Sequence, residues 1–200
     1  MHSSRQSRLL ASLFQQIDPE ERITVLNIGN ALPETVRFFS DFRCKLYFVD
    51  LLAELPFLES EVETEDNIDD GAESLTQRFA RLLQLPPDTG VDIVLFWDLF
   101  NYLNETAIAA LLENLRPHLH AATVGHGFTV HNRRTPQLAA TYSIESADSL
   151  VLRSRSQPLS HYSPHAQNNL QRIVHDFNFD RSVLLPDSQL EFILSARRAS

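Results

Sequence analysis

Leu9, Leu10, Leu13, Phe14 and Ile17 recur at helical spacing, so residues 1–20 read as an N-terminal amphipathic helix that ends at Asp18-Pro19. Ile23–Ile28 (ITVLNI) is a continuous β-branched and apolar run that meets Gly29, the pattern of a buried strand entering a turn. Pro33 suits the first turn of a following helix with Val36, Phe39 and Phe42 inward. Cys44–Asp50 (CKLYFVD) repeats the strand pattern and ends in a carboxylate. Leu75, Phe79, Leu82 and Leu83 form a helical stripe closed by Pro86-Pro87, and Val91–Trp97 (VDIVLFW) is the most apolar strand, ended by Asp98. Asn104 is placed to cap a helix carrying Ile108, Leu111, Leu112 and Leu115, which stops before Pro117. Thr123–Val130 is a further strand with Gly125 and Gly127 inside it. Ser163-Pro164 predicts the start of a helix with Leu170, Ile173, Val174 and Phe177 inward. Phe179–Leu185 and Leu190–Ser195 flank Pro186-Asp187-Ser188 as a hairpin.

Strands that alternate with helices and carry unbroken apolar cores predict an α/β chain with an open, mostly parallel sheet covered on both faces, its edge completed by the antiparallel C-terminal hairpin. Two stretches fall outside the pattern. Residues 59–73 hold eight acids in fifteen positions and read as a solvated loop with at most a short edge strand. Residues 131–158 are polar, with Arg133, Arg134, Arg153 and Arg155, and read as an excursion over the sheet edge. Two hundred residues suit one domain, 1–200.

Composition narrows the function. Five glycines stand where average usage of about 7% would give roughly 14, which argues against a multi-glycine phosphate loop. A net charge of −9 argues against broad nucleic-acid binding, which needs clustered Lys and Arg. No run reaches the length of a membrane span, residues 1–17 lack a continuous signal-peptide core, and the lone Cys44 reads as a small core residue; a cytoplasmic protein is the expectation.

In an open parallel sheet, ligands bind beyond the carboxyl ends of the strands, where the strand order reverses. Gly29-Asn30-Ala31, Asp50 and Asp98 all follow apolar strands. Asp50 lies 21 residues after Gly29, near the spacing that sets a carboxylate against the diol of a ribose whose nucleoside reaches over the first turn. The competing reading of Asp50 is a strand-ending acid that caps the next helix, and Asp98 is open between a site residue and a cap for Leu99–Asn101. His126 and then Tyr102 are the candidate general bases, although His126 also suits a buried structural role. His161 and His165 have no partner completing a metal site.

ITVLNIGNALPETV, YFVD, DIVLFWDLFNYL, the helix ending LRPHL, and RSVLLPDSQLEFILSAR resemble, in order, a class I S-adenosylmethionine-dependent methyltransferase over residues 20–198. The resemblance implies a Rossmann-like three-layer sandwich with a seven-stranded sheet whose last strand is antiparallel. It further implies that Asn27, Gly29, Asn30 and Ala31 line the methionine part of S-adenosylmethionine, that Asp50 holds the ribose, and that Trp97, Asp98 and Leu99 floor the pocket beside the sulfonium. Residues 131–158 would cover the substrate side, and their arginines would suit a carboxylate- or phosphate-bearing acceptor, small or protein-borne. Asn27 stands where the family has an acid, and Ala31 and Pro33 where it has later glycines. These departures carry the alternative, a catalytically inactive methyltransferase-fold protein that binds or stabilises a partner, with 59–73 as a surface for a basic protein. A nicotinamide-dependent reductase shares the first turn and the ribose acid but fits GNALP and the closing hairpin less well.

Overall fold

The computed structural model describes residues 2–15, 17–18, 20–59, 73–132, 134, 139–155 and 162–197. Its main sheet is built from β2 (Ile23–Asn27), β3 (Cys44–Phe48), β4 (Ile93–Trp97), β5 (Val124–Val130), β8 (Phe177–Leu184) and β9 (Gln189–Ala196), in the order β3-β2-β4-β5-β9-β8. The first four strands are parallel, and β9 runs antiparallel to both β5 and β8. The sheet therefore has six strands among the described residues rather than the seven expected. The acidic stretch 59–73, where at most a short edge strand was expected, lies almost wholly outside the described residues.

The period of two along each strand sorts the core into two layers. Leu26, Val94 and Phe96 face a layer that includes Phe79 of α4 (Leu75–Leu83), Ile108, Leu111 and Leu115 of α5 (Glu105–Leu115) and Leu170 of α6 (Gln167–Ile173). Val25, Ile93, Leu95 and Trp97 face the other way. That second face is covered by α1 (Leu10–Phe14), α2 (Pro33–Phe39) and a small antiparallel sheet of β1 (His2–Gln6), β7 (Ser149–Ser154) and β6 (Ala140–Ser146). Local chemistry sets the helix starts: Ser74 and Gln77 form a capping box on α4, Asn104 Oδ1 accepts from Ala107 N–H on α5, and Pro33 takes the first position of α2.

Three readings of the sequence change. The N-terminal segment begins as strand β1, pairing with β7, and only Leu10–Phe14 is helical. Its apolar stripe reported burial correctly, but β1 is a polar strand whose partner lies some 150 residues away, beyond the reach of any local signal. Residues 131–158 contain the β6–β7 hairpin instead of an irregular excursion. The last helix starts at Gln167, because the Ser163 N–H donates to Asn101 O and leaves that residue outside the helix; Phe177 opens β8. The C-terminal hairpin and its turn agree with the sequence reading.

Both glycines of β5 are demanded by packing. A Cβ on Gly127 would lie 2.7 Å from Phe192 Cζ and 2.8 Å from the Trp97 carbonyl oxygen, and one on Gly125 would lie 2.9 Å from Phe96 Cε2. Since a backbone oxygen cannot swing aside, Gly127→Ala is expected to cost about 1–3 kcal/mol. Chemical denaturation of the variant measures it, and an unchanged midpoint would refute this account.

Candidate functional site

Three strands of the parallel sheet end side by side. Asn27 at the end of β2 runs into Ile28 and the buried Gly29; β3 is followed by Val49 and Asp50; β4 ends at Trp97 and Asp98. At this point the β4–β5 register shifts between Leu95 and Trp97, and Trp97 adopts φ 52°, a left-handed backbone that costs a non-glycine residue of order 1 kcal/mol or more. The bend delivers Asp98 into the interior. Its side chain is fully buried and its Oδ1 has no hydrogen-bond partner. Burial pushes its carboxyl up to about 7, although a backbone N–H, the charge of Arg155, the Tyr142 hydroxyl and the charge of Arg5 all pull downward.

The first turn is held by the indole. Trp97 Nε1 donates to Asn27 Oδ1 at 3.0 Å, while Asn27 Nδ2, also buried, has no partner. Asparagine in place of an acid thus serves as an acceptor for the tryptophan. Gly29 and Asn30 lie beside this pair on the site's wall, whereas Ala31 is exposed beyond it and Leu99 packs below in the core.

Across these strand ends lies the β6–β7 hairpin. Tyr142 stacks on Trp97 at 5.3 Å with an interplanar angle of 6°, and Phe128 stacks on Tyr142 at 5.4 Å. Arg155, just past β7, donates through Nη2 to Asp50 Oδ1 at 3.0 Å, and Asp50 Oδ1 also accepts from Ala53 N–H. The space lined by Gly29, Asn30, Trp97, Asp98, Tyr142 and Arg155 measures about 10 Å³, room for one water-sized molecule. Of the residues singled out from sequence, Gly29, Asn30, Trp97 and Asp98 share this space, and Asp50 reaches it through Arg155. Arg155 was singled out only as one of four arginines suited to an anionic acceptor, and Tyr142 was not foreseen here; the alternation in ATYSIES was its only signal, without a glycine-bearing turn to mark a hairpin.

The two candidate bases sit differently. His126, the first candidate base, is third of seven residues in β5, with no exposed surface, and its Nε2 is 2.8 Å from Glu191 Oε1 on β9. The same carboxylate accepts from Ser7 Oγ and from the N–H groups of Arg8 and Leu9, so His126 belongs to a buried tether of the N-terminal segment. Tyr102 follows the turn Leu99–Asn101, with its hydroxyl buried and unpartnered. Burial, then the negative charge of Asp98, raise its pKa, so it remains a proton donor. Arg153 and Arg155 are engaged by Glu34 and Asp50, so two of the four arginines read as recognising an anionic acceptor are already neutralised. No group of three or more His, Cys, Asp or Glu side chains able to hold a metal occurs among the described residues, and no helix there is long and apolar enough to cross a membrane.

No protein-family model and no curated protein sequence matches the chain. Solved structures do. The PH0226 protein from Pyrococcus horikoshii OT3 aligns at TM-score 0.54 and 12% identity, covering 94% of this chain and 88% of its own. The 1,6-didemethyltoxoflavin-N1-methyltransferase of Burkholderia thailandensis, solved with S-adenosylhomocysteine, aligns at TM-score 0.53 and 14% identity over 96% of this chain and 78% of its own. The mitomycin 7-O-methyltransferase MmcR aligns at TM-score 0.50 and 9% identity over 94% of this chain, which spans about half (53%) of that enzyme. At such identities the likeness concerns architecture: a mostly parallel sheet closed by an antiparallel C-terminal hairpin, the class I methyltransferase fold.

Proposed function

We propose that the chain binds S-adenosylmethionine at the ends of β2, β3 and β4 and transfers its methyl group to a small-molecule or protein acceptor. The observation that carries this reading is Asp98. Arg155 is matched by Asp50, and Arg5 by Asp187 and Gln189, so the ionised site is left with one uncompensated negative charge, on a buried carboxylate with a bare oxygen. A cationic group satisfies it, and S-adenosylmethionine carries two, a sulfonium and an ammonium. The other donors fit in kind: Gly29 and Asn30 offer backbone at the first turn, and Asp50 has the acceptor geometry for a ribose diol. The bound cofactor would supply an already activated methyl group. The chain's part is then alignment, with Trp97 and Tyr142 as walls. Where the acceptor needs a base, Asp98, held to about 7, is better placed than the sealed His126, and Tyr102 keeps its proton as a donor.

A cation beside Asp98 favours its ionised form, so binding at pH 6.5 should release part of a proton. Calorimetric titration with S-adenosylmethionine in two buffers of different ionisation enthalpy reads this directly. Absence of both heat and a thermal shift at millimolar ligand would refute the proposal. The closed space and the Arg155–Asp50 pair favour the second reading, a non-catalytic binding protein. Labelled methyl transfer into a cell extract that disappears in a folded Asp98→Ala variant excludes it.

A further inference from the structure

We propose that the β6–β7 hairpin is a latch: Arg155 occupies, on Asp50, the place of the cofactor's ribose, and must let go before the cofactor can seat. The inference rests on the function proposed above. Arg155 and Asp50 side chains are 12% and 18% exposed, so water screens their attraction only partly. One carboxylate oxygen of Asp50 thus meets a guanidinium where a diol hydroxyl would otherwise donate. The closed arrangement is nonetheless poorly satisfied, because Arg155 Nε is buried without a partner, as is Asp98 Oδ1. A contact that leaves two buried polar atoms bare is poised to exchange for one that pairs them.

The hairpin is clipped around the first turn on both sides. Arg153 Nη2 meets Glu34 Oε1 at 2.5 Å on α2, and its Nη1 donates to Ser143 Oγ. Ile144 N–H donates to Thr35 Oγ1, also on α2, at 3.1 Å. With Arg155 on Asp50 and Tyr142 on Trp97, these contacts span α2 and the ends of β3 and β4, the three places a nucleoside and its methionine tail would bridge. Only the Arg155 contact competes for an atom assigned to the ligand. Cofactor affinity is therefore reduced by the fraction of molecules that are latched.

The chain has a single tryptophan, Trp97, stacked on Tyr142, so its fluorescence reports whether the hairpin sits on the site. The wild type, Arg155→Ala and Arg153→Gln would each be titrated with S-adenosylmethionine, adenosine and 2′,3′-dideoxyadenosine, following Trp97 emission and calorimetric heat. Arg155→Ala should bind S-adenosylmethionine and adenosine roughly tenfold more tightly than wild type, with no gain for the dideoxy compound, which lacks the diol. Arg153→Gln, which loosens the hairpin without freeing Asp50, should shift Trp97 emission and give a smaller gain; it serves as the test if Arg155→Ala does not fold. Equal affinity for adenosine in wild type and both variants overturns the latch and leaves the proposed function standing. Failure of all three proteins to bind any adenosine compound overturns both.

Discussion

Asp98→Asn is expected to give a chain that is more stable than the wild type above pH 7 and, on the function proposed above, one that no longer binds S-adenosylmethionine. The folded carboxyl titrates near 7 against an ordinary value of 3.8, so between those values the folded state holds a proton that the unfolded chain has lost. Stability of the wild type therefore falls as pH rises through this window. The accumulated cost above pH 7 is about 4 kcal/mol at 1.36 kcal/mol per pH unit. Asparagine removes the charge but leaves a buried amide, which returns part of the gain, so an advantage of about 2–4 kcal/mol at pH 8 is expected. Urea unfolding at pH 4, 6 and 8 should show the two proteins converging in acid and separating in alkali. Parallel curves would mean that Asp98 is not held protonated by the fold. A stabilising loss of a charge is the signature of a group kept for function, since the fold alone gains nothing from it.

The opposite sign is expected at Glu191. Burial alone would raise its carboxyl; the hydrogen bond and charge of His126, with Ser7 and the Arg8 N–H, more than offset that and hold it below the ordinary range. Its contribution is therefore present above about pH 4.5 and is lost as pH falls through the depressed folded value. Glu191→Ala leaves the buried His126 Nε2 and Ser7 Oγ, with the N–H groups of Arg8 and Leu9, without their acceptor, at a cost of about 3–5 kcal/mol. For a chain of this length the melting temperature should fall by roughly 6–20 °C, and the residues before Leu9 should become accessible to protease. A variant within 1 °C of wild type, with that segment still protected, would show the cluster to be incidental.

What could be read from the residues follows from how local each signal is. The apolar strands around Leu26 and Leu95 announce themselves because both faces of a central parallel strand are buried, and Asp50 and Asp98 are legible as acids that end apolar runs. The hairpin at Pro186-Asp187-Ser188 carries its own turn chemistry. β1 was invisible because HSSRQ has neither apolar alternation nor β-branched residues, and its strand character is imposed by β7. His126 was misplaced for a related reason. Its flanking glycines gave no sign that they are required by Phe192, Phe96 and the Trp97 carbonyl crowding the middle of β5, where the histidine is sealed in. The role of Arg155 depends on a pairing with Asp50 across 105 positions, which composition could only register as a mild basic excess.

The tether of Ser7 to Glu191 also governs how the molecule is made. Ser7 is made well before its partner, which lies 184 residues further along the chain. β9, which lies against β5 and is buried along almost all its length, arrives equally late. During synthesis, then, the edge of β5 that β9 will cover stays bare until β9 has emerged. Such an edge invites pairing with other nascent chains. Slowed translation over the codons of β8 and β9 should consequently favour aggregation over folding.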